Sequence, residues 1–580
     1  MPRILAIGLD GFEETYGSRL LAEGALPELA AMRDRGALVL LDHGPAQRTG
    51  LAWEHFWSGL SPEAGNRHAA VEFDPTQYLA WQEGARFEPF FAGHSERVVI
   101  FDAPYADLDH APEVRGVVAW GSHDPGITGG RLGRPDGIVD EINARFGPYP
   151  ATEWTYATPW ASPEACTEMG TQLAAGVDAR REAAGWLLSE RLPDWDLAIV
   201  VVAELHSAVE GLWHGIDPEH PLHHHRSAPA AGESLRSVHI AADRLVGDLT
   251  RQLEPDVVVV FTMGGMGPNE SDLQSMVLLP ELMHRWSSGG PALVVPDAWS
   301  ADPSCIPNMN EGPTEWDREW FQERSGRGAK AIRGLMRFAA EHLPQPLVRA
   351  VRNLRRRNAP HARSRPGFLS LGWQPASWYR HRWSKMAAFA IPSYYDGRIR
   401  INLRGREAHG IVDPADYDSL CEEVTAMLQQ CTDPRTGRPS VAFVERPGAT
   451  DPLAIGSSGC DIAVIWNGAA NAISHPEFGL IGPVPFRRTG GHTGRHGSLL
   501  LVTEGVRVGD VGIASAFDVA PTLLTLLGGE VSPRGALAGG AVPGEAPGVS
   551  RTISGRSLLP RLMADGQKMA PGVGLEPTTL

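Results

Sequence analysis

Residues 4–11 read ILAIGLDG, an apolar run that ends abruptly in Asp10-Gly11. A strand that is apolar at consecutive positions is buried on both faces, which is the habit of parallel sheets. Leu26–Arg35 (LPELAAMRDR) follows with helical spacing, and Ala37–Leu41 (ALVLL) reads as a second strand. Strand, helix and strand in this order predict parallel pairing with both faces covered. Val98–Phe101, Gly116–Trp120, Leu197–Ala203 and Val257–Phe261 repeat the pattern of short apolar runs bounded by turn residues. In open α/β sheets ligands bind beyond the carboxyl ends of the strands. Asp10, His206 and the loop Thr262–Gly267 all fall at such ends.

The 580 residues are enough for one large α/β domain with insertions or for two to three domains. A net charge of -17 and a pI near 5.7 lack the basic footprint of a nucleic-acid binder. Cys166, Cys305, Cys421, Cys431 and Cys460 form no CxxC pair, so neither a disulfide framework nor a cysteine zinc site is indicated. No apolar run is long enough to cross a bilayer. The opening MPRILAIGLDGF lacks the apolar core of a signal peptide, so the expectation is a cytoplasmic protein.

The rhythm of strands and helices divides the chain into a first core part, 1–280, an insertion, 281–386, a second core part, 387–530, and a flexible tail, 531–580. The insertion holds a Pro/Ser-rich part and a basic helical part, 327–365, with Arg352, Arg355, Arg356, Arg357, Arg363 and Arg365. That run reads as a solvated helical insertion or as a surface that grips an anionic polymer or acidic lipid. Strand alternation returns at Gly397–Leu403, a helix is predicted at Ala415–Gln430, and a late helix at Ser515–Gly528. Beyond it the chain turns Gly-, Pro- and Ala-rich, a composition that buries little.

Five fragments carry a resemblance. They are Ile4–Gly11, Gly44–Gly59 (GPAQRTGLAWEHFWSG), Ala198–His214 (AIVVVAELHSAVEGLWH), Val257–Pro268 (VVVVFTMGGMGP) and Thr489–Leu501 (TGGHTGRHGSLLL). In this order they resemble the alkaline phosphatase superfamily, nearest to its type I phosphodiesterase/nucleotide pyrophosphatase branch. The resemblance implies an α/β fold with a mixed, largely parallel sheet flanked by helices. It also implies two zinc-class ions about 4 Å apart that neutralise a phosphate ester while a hydroxyl attacks it in line.

Carried over by position, Asp10 matches the first metal-binding Asp. Thr49 matches the nucleophile, within T-G-L-A-W and with Leu51 where the family has proline. Thr49 also reads as a helix N-cap for Ala52–Trp57, and the two roles are compatible at a helix N-terminus. His492 matches the late metal histidine, with His496 as a competitor. The family's Asp-x-x-x-His pair falls on His206-Ser207-Ala208-Val209-Glu210, whose i,i+4 spacing lets both side chains face one ion. Imidazole and carboxylate both suit zinc-class metals. The family's Asp-His-Gly, however, falls on Met263-Gly264-Gly265, which offers no hard-cation ligand. Asp42-His43-Gly44 has similar letters but precedes Thr49, and reads as a turn. His214, Asp217 and His220 could supply a substitute ligand, and His223–His225 a solvated chelating run. Arg404, Arg406 and Glu407 read as a salt-bridged surface or as phosphate-steering groups.

The resulting expectation is a hydrolase or transferase acting on a small-molecule phosphate (or sulfate) ester or diester. Thr49 would be its nucleophile, Asp10 would hold a metal or orient Thr49, and His206, Glu210 and His492 would hold one divalent ion of zinc class. The rival expectation is a catalytically inactive relative that binds an anionic ligand or a partner protein. The sequence leaves substrate, metal identity and oligomeric state open.

Overall fold

The computed structural model describes residues 2–93, 97–121, 130–155, 160–302, 304–307, 316, 368–447, 451–529, 536–537 and 551–564. The basic run Arg352–Arg365 lies outside them.

The main sheet has nine strands. In chain order they are β1 (Ile4–Leu9), β2 (Ala37–Asp42), β3 (Val98–Phe101), β4 (Arg115–Val117), β5 (Gly133–Arg134), β6 (Leu197–Val202), β7 (Val257–Thr262), β8 (His496–Val502) and β9 (Gly509–Ser515). Across the sheet the order is β9-β2-β8-β7-β1-β6-β3-β4-β5. β1 pairs in parallel with β6 on one side and β7 on the other. β3 is parallel to both β6 and β4, and β2 is parallel to β9. β8 runs antiparallel to both β7 and β2, and β5 antiparallel to β4. The sheet is therefore mixed and mostly parallel, with helices on both faces. That is consistent with the alkaline phosphatase-like α/β arrangement the resemblance implies.

The side-chain period of two divides each central strand between two cores. Leu5, Ile7 and Leu9 face one, together with Ala198, Val200 and Val202. Ile4, Ala6, Leu197, Ile199 and Val201 face the other. The helices α2 (Pro163–Trp186) and α4 (Ala228–Leu253) pack on each other over the first face. Helix α1 (Ala52–Ser58) and the late helix α5 (Val519–Leu526) cover the second. Between α2 and α4 lies α3 (Glu204–Leu212), which leaves β6 directly and is buried along its whole length.

The second half adds a four-stranded antiparallel sheet in the order 388–391, 397–401, 462–466, 441–445. Its arginines are structural. Arg406 holds Asp461 at 2.7 Å and Arg400 holds Glu407 at 2.9 Å, all buried or nearly so. Of the phosphate-steering and salt-bridged readings, Arg406 and Glu407 fit the second.

Residues 551–564 fall within the stretch expected to be a flexible tail, yet they are packed. Ile553, Leu558, Leu559 and Leu562 are buried in the second core. Ser554 N donates to Gly59 O at 2.7 Å and Leu558 N to Thr522 Oγ1 at 2.8 Å, which ties this segment to the end of α1 and to α5. A short apolar run after a long Gly/Pro-rich stretch was enough to dock.

Candidate active site

β1, β2, β6 and β7 all point the same way, so their carboxyl ends share one edge of the sheet. The chain enters antiparallel β8 from that edge too. Asp10, Thr49, His206, Met263 and His492 consequently arise from loops at one end of the molecule.

Asp10 is the first residue past β1 and is buried, with its N–H on Val202 O at 3.1 Å. Gly11 has φ +89°, and a Cβ there would lie 2.5 Å from His206 Cα. Only glycine allows the β1 loop to run this close to α3. His206 Nδ1–H donates to Asp10 Oδ2 at 3.0 Å. One turn along α3, Glu210 Oε1 lies 3.3 Å from His206 Nε2. His492 Nε2 stands 3.1 Å from that same His206 nitrogen.

The loop bearing His492 is pinned to α3. Thr489 N donates to Glu210 O at 2.7 Å, and a Cβ on Gly490 would lie 2.2 Å from Val209 O. The same loop brings Arg488, whose Nη1 forms an ion pair with Glu210 Oε1. Arg487 beside it donates to Asp272 Oδ2 at 3.0 Å. Neither arginine was singled out in the sequence. The available signal was an Arg-Arg pair directly ahead of Thr489-Gly490-Gly491-His492.

Thr49 is buried at the end of the turn Gly44–Thr49. Its hydroxyl donates to Ala46 O at 2.7 Å and accepts from Leu51 N at 3.2 Å. Leu51, not Thr49, takes the N-cap position of α1, and no side chain caps that helix. Thr49 joins the cluster through its neighbours. Gln47 Nε2 donates to His492 O at 3.3 Å. The Tyr395 ring lies edge-on to His492 at 4.6 Å and would meet a Cβ on Gly50 at 2.6 Å. Trp53, in α1, helps hold down the pKa of Asp10.

Burial alone would discharge His206, but the Asp10 and Glu210 carboxylates outweigh it and hold its pKa at about 10. Burial would likewise raise Asp10, yet His206, Trp53 and His492 keep it below the usual carboxylate range. Arg488 is desolvated too, and the charge of Glu210 more than compensates. The cluster is thus two carboxylates already matched by an imidazolium and a guanidinium.

This bears on the expected ion. His206 spends both ring nitrogens on the cluster, and one carboxylate oxygen of Glu210, Oε1, faces Arg488. Among the described residues no group of three or more His, Cys, Asp or Glu side chains is arranged to hold a metal ion. As arranged, Asp10, His206, Glu210 and His492 do not fit a zinc-class ion. The Met263 loop adds no donor. Met263 is buried among apolar side chains, and its carbonyl accepts from His43 Nδ1 at 2.9 Å. Asp42-His43-Gly44 is a turn, with Gly44 N on Asp42 Oδ1 at 2.8 Å. His496 opens β8 opposite Asp42, while His492 makes the contact with His206. His214 bonds the hydroxyls of Thr489 and Ser227 at 3.3 and 3.0 Å, and Asp217 accepts from the Trp213 indole at 2.9 Å. Both therefore have structural partners.

No family model and no curated protein matches the chain. Among solved structures it is similar to phosphonoacetate hydrolase from Sinorhizobium meliloti 1021 in complex with phosphonoformate. That match has 14% identity over 90% of this chain and 94% of the other, with a TM-score of 0.44. It is also similar to human ectonucleotide pyrophosphatase/phosphodiesterase 5, at 10% identity over 92% and 96%, TM-score 0.41. An inactive form of the murine protein in complex with AMP gives 11% over 92% and 96%, TM-score 0.42. No helix among the described residues is long and apolar enough to cross a membrane.

Proposed function

We propose that this chain is an alkaline phosphatase-like hydrolase or transferase acting on a small-molecule phosphate (or sulfate) ester or diester, with Thr49 as the nucleophile. In the first step Thr49 Oγ1 forms a bond to phosphorus, the ester P–O bond breaks, and the threonine proton leaves with the departing alcohol. Water then cleaves the phosphothreonine and restores the hydroxyl. The observation that supports the reading best is the convergence of Asp10, His206, Glu210 and His492, from three distant stretches, beside the turn that carries Thr49.

The Met263-Gly264 loop favours a second reading, a crevice that binds an anion without turnover. Hydrolysis of a nitrophenyl phosphodiester separates the two. Turnover that falls at least about a hundredfold in Thr49→Ala supports catalysis, on the scale of a lost reaction-centre group. A rate equal in both proteins supports binding alone.

A further inference from the structure

One carboxylate oxygen of Glu210, an expected metal ligand, carries a guanidinium. We propose that Arg488, seated on Glu210, stands in for the divalent ion, so that this cluster binds a phosphate-class anion without metal. This rests on the reading of the crevice as a phosphate-ester site.

Three observations converge on it. Glu210 Oε1 is shared by Arg488 Nη1 and His206 Nε2, so a guanidinium sits where the expected ligands converge. On the other side of β1, the loop Met263-Gly264 presents no acidic or imidazole side chain for a second ion. Arg488 also keeps donor capacity. Its Nε is buried with no hydrogen-bond partner in the protein, and only one of its five N–H donors is spent on Glu210. A planar guanidinium fork matches phosphate oxygens in pairs, which a point charge does not. Held by Thr489 N on Glu210 O, the arginine is fixed before any ligand arrives, and a preset donor loses nothing to reorganisation. Arg487, committed to Asp272, flanks it and adds positive charge.

The test is calorimetric titration of chelator-treated full-length protein with inorganic phosphate, and separately with zinc. Phosphate should bind the metal-free protein, Arg488→Met should weaken it by about tenfold or more, and Arg488→Lys should recover part of the loss. The double variant Arg488→Met/Glu210→Gln removes both partners, so no buried charge is stranded; it should fold and still bind phosphate poorly. Stoichiometric zinc binding that phosphate requires would overturn the inference. So would phosphate affinity unchanged in Arg488→Met and in the double variant, or no phosphate binding without metal. Turnover reports the hydrolase reading separately. Phosphate binding without turnover leaves this inference standing and removes that reading, whereas turnover that depends on added zinc does the reverse.

Discussion

His206 meets Asp10, 196 positions away, at 3.0 Å, and Glu210 meets Arg488 across 278 positions. Each such contact leaves a different trace in a sequence. Asp10 directly ends a buried apolar strand, but it and His206 were legible mainly as matches to fragments of the resembled family. Glu210 followed from helical spacing. Arg488 was not legible: an arginine is common, and its meaning here comes only from the carboxylate it meets in space. The charge on His206 gives a prediction at this scale. Folded, it keeps its proton to about pH 10, whereas unfolded it would release it near the ordinary 6.5. The stabilisation is therefore complete below pH 6.5 and is lost as pH rises through 10, at up to about 1.4 kcal/mol per pH step. Thermal melts from pH 7 to 10 should show a decline that is shallower in His206→Gln. An identical slope in both proteins would count against the imidazolium.

Strands and helices were the most legible scale. β1, β6 and β7 are central and buried on both faces, so their sequences are unbroken apolar runs. The late helix was expected at 515–528 and forms at Val519–Leu526, just after a short turn, Ala516–Asp518, that carries a capping box between Ser515 and Asp518. The segment 551–564 was missed for a physical reason. Composition averaged over a Gly/Pro-rich stretch hides four aliphatic side chains that find a ready groove. Ending the chain at residue 530 should remove them from the second core. At about 1.5–3 kcal/mol for each buried aliphatic side chain, the melting temperature should drop by many degrees, and scanning calorimetry would detect it. A truncated protein that melts with the full chain would mean the docking carries no weight. The same segment ties down Gly59 at the end of α1, the helix that follows Thr49.

At the scale of the molecule, parallel strands collect their following loops at one edge, and antiparallel β8 starts there. Topology alone therefore gathers Asp10, the Thr49 turn, α3 and the His492 loop. The order of the five fragments carried that information, so the fold could be read before any distance was known. What order cannot carry is occupancy of the centre. The sequence suggested three ligands around an ion, and the folded chain instead pairs carboxylates with its own cations. If Thr49 does the chemistry there, a covalent intermediate must form on it. The direct measurement is mass spectrometry of protein quenched in acid during turnover of the nitrophenyl phosphodiester. A phosphoryl adduct should appear on the peptide containing Thr49 and none in Thr49→Ala. Steady turnover with that peptide unmodified would contradict it.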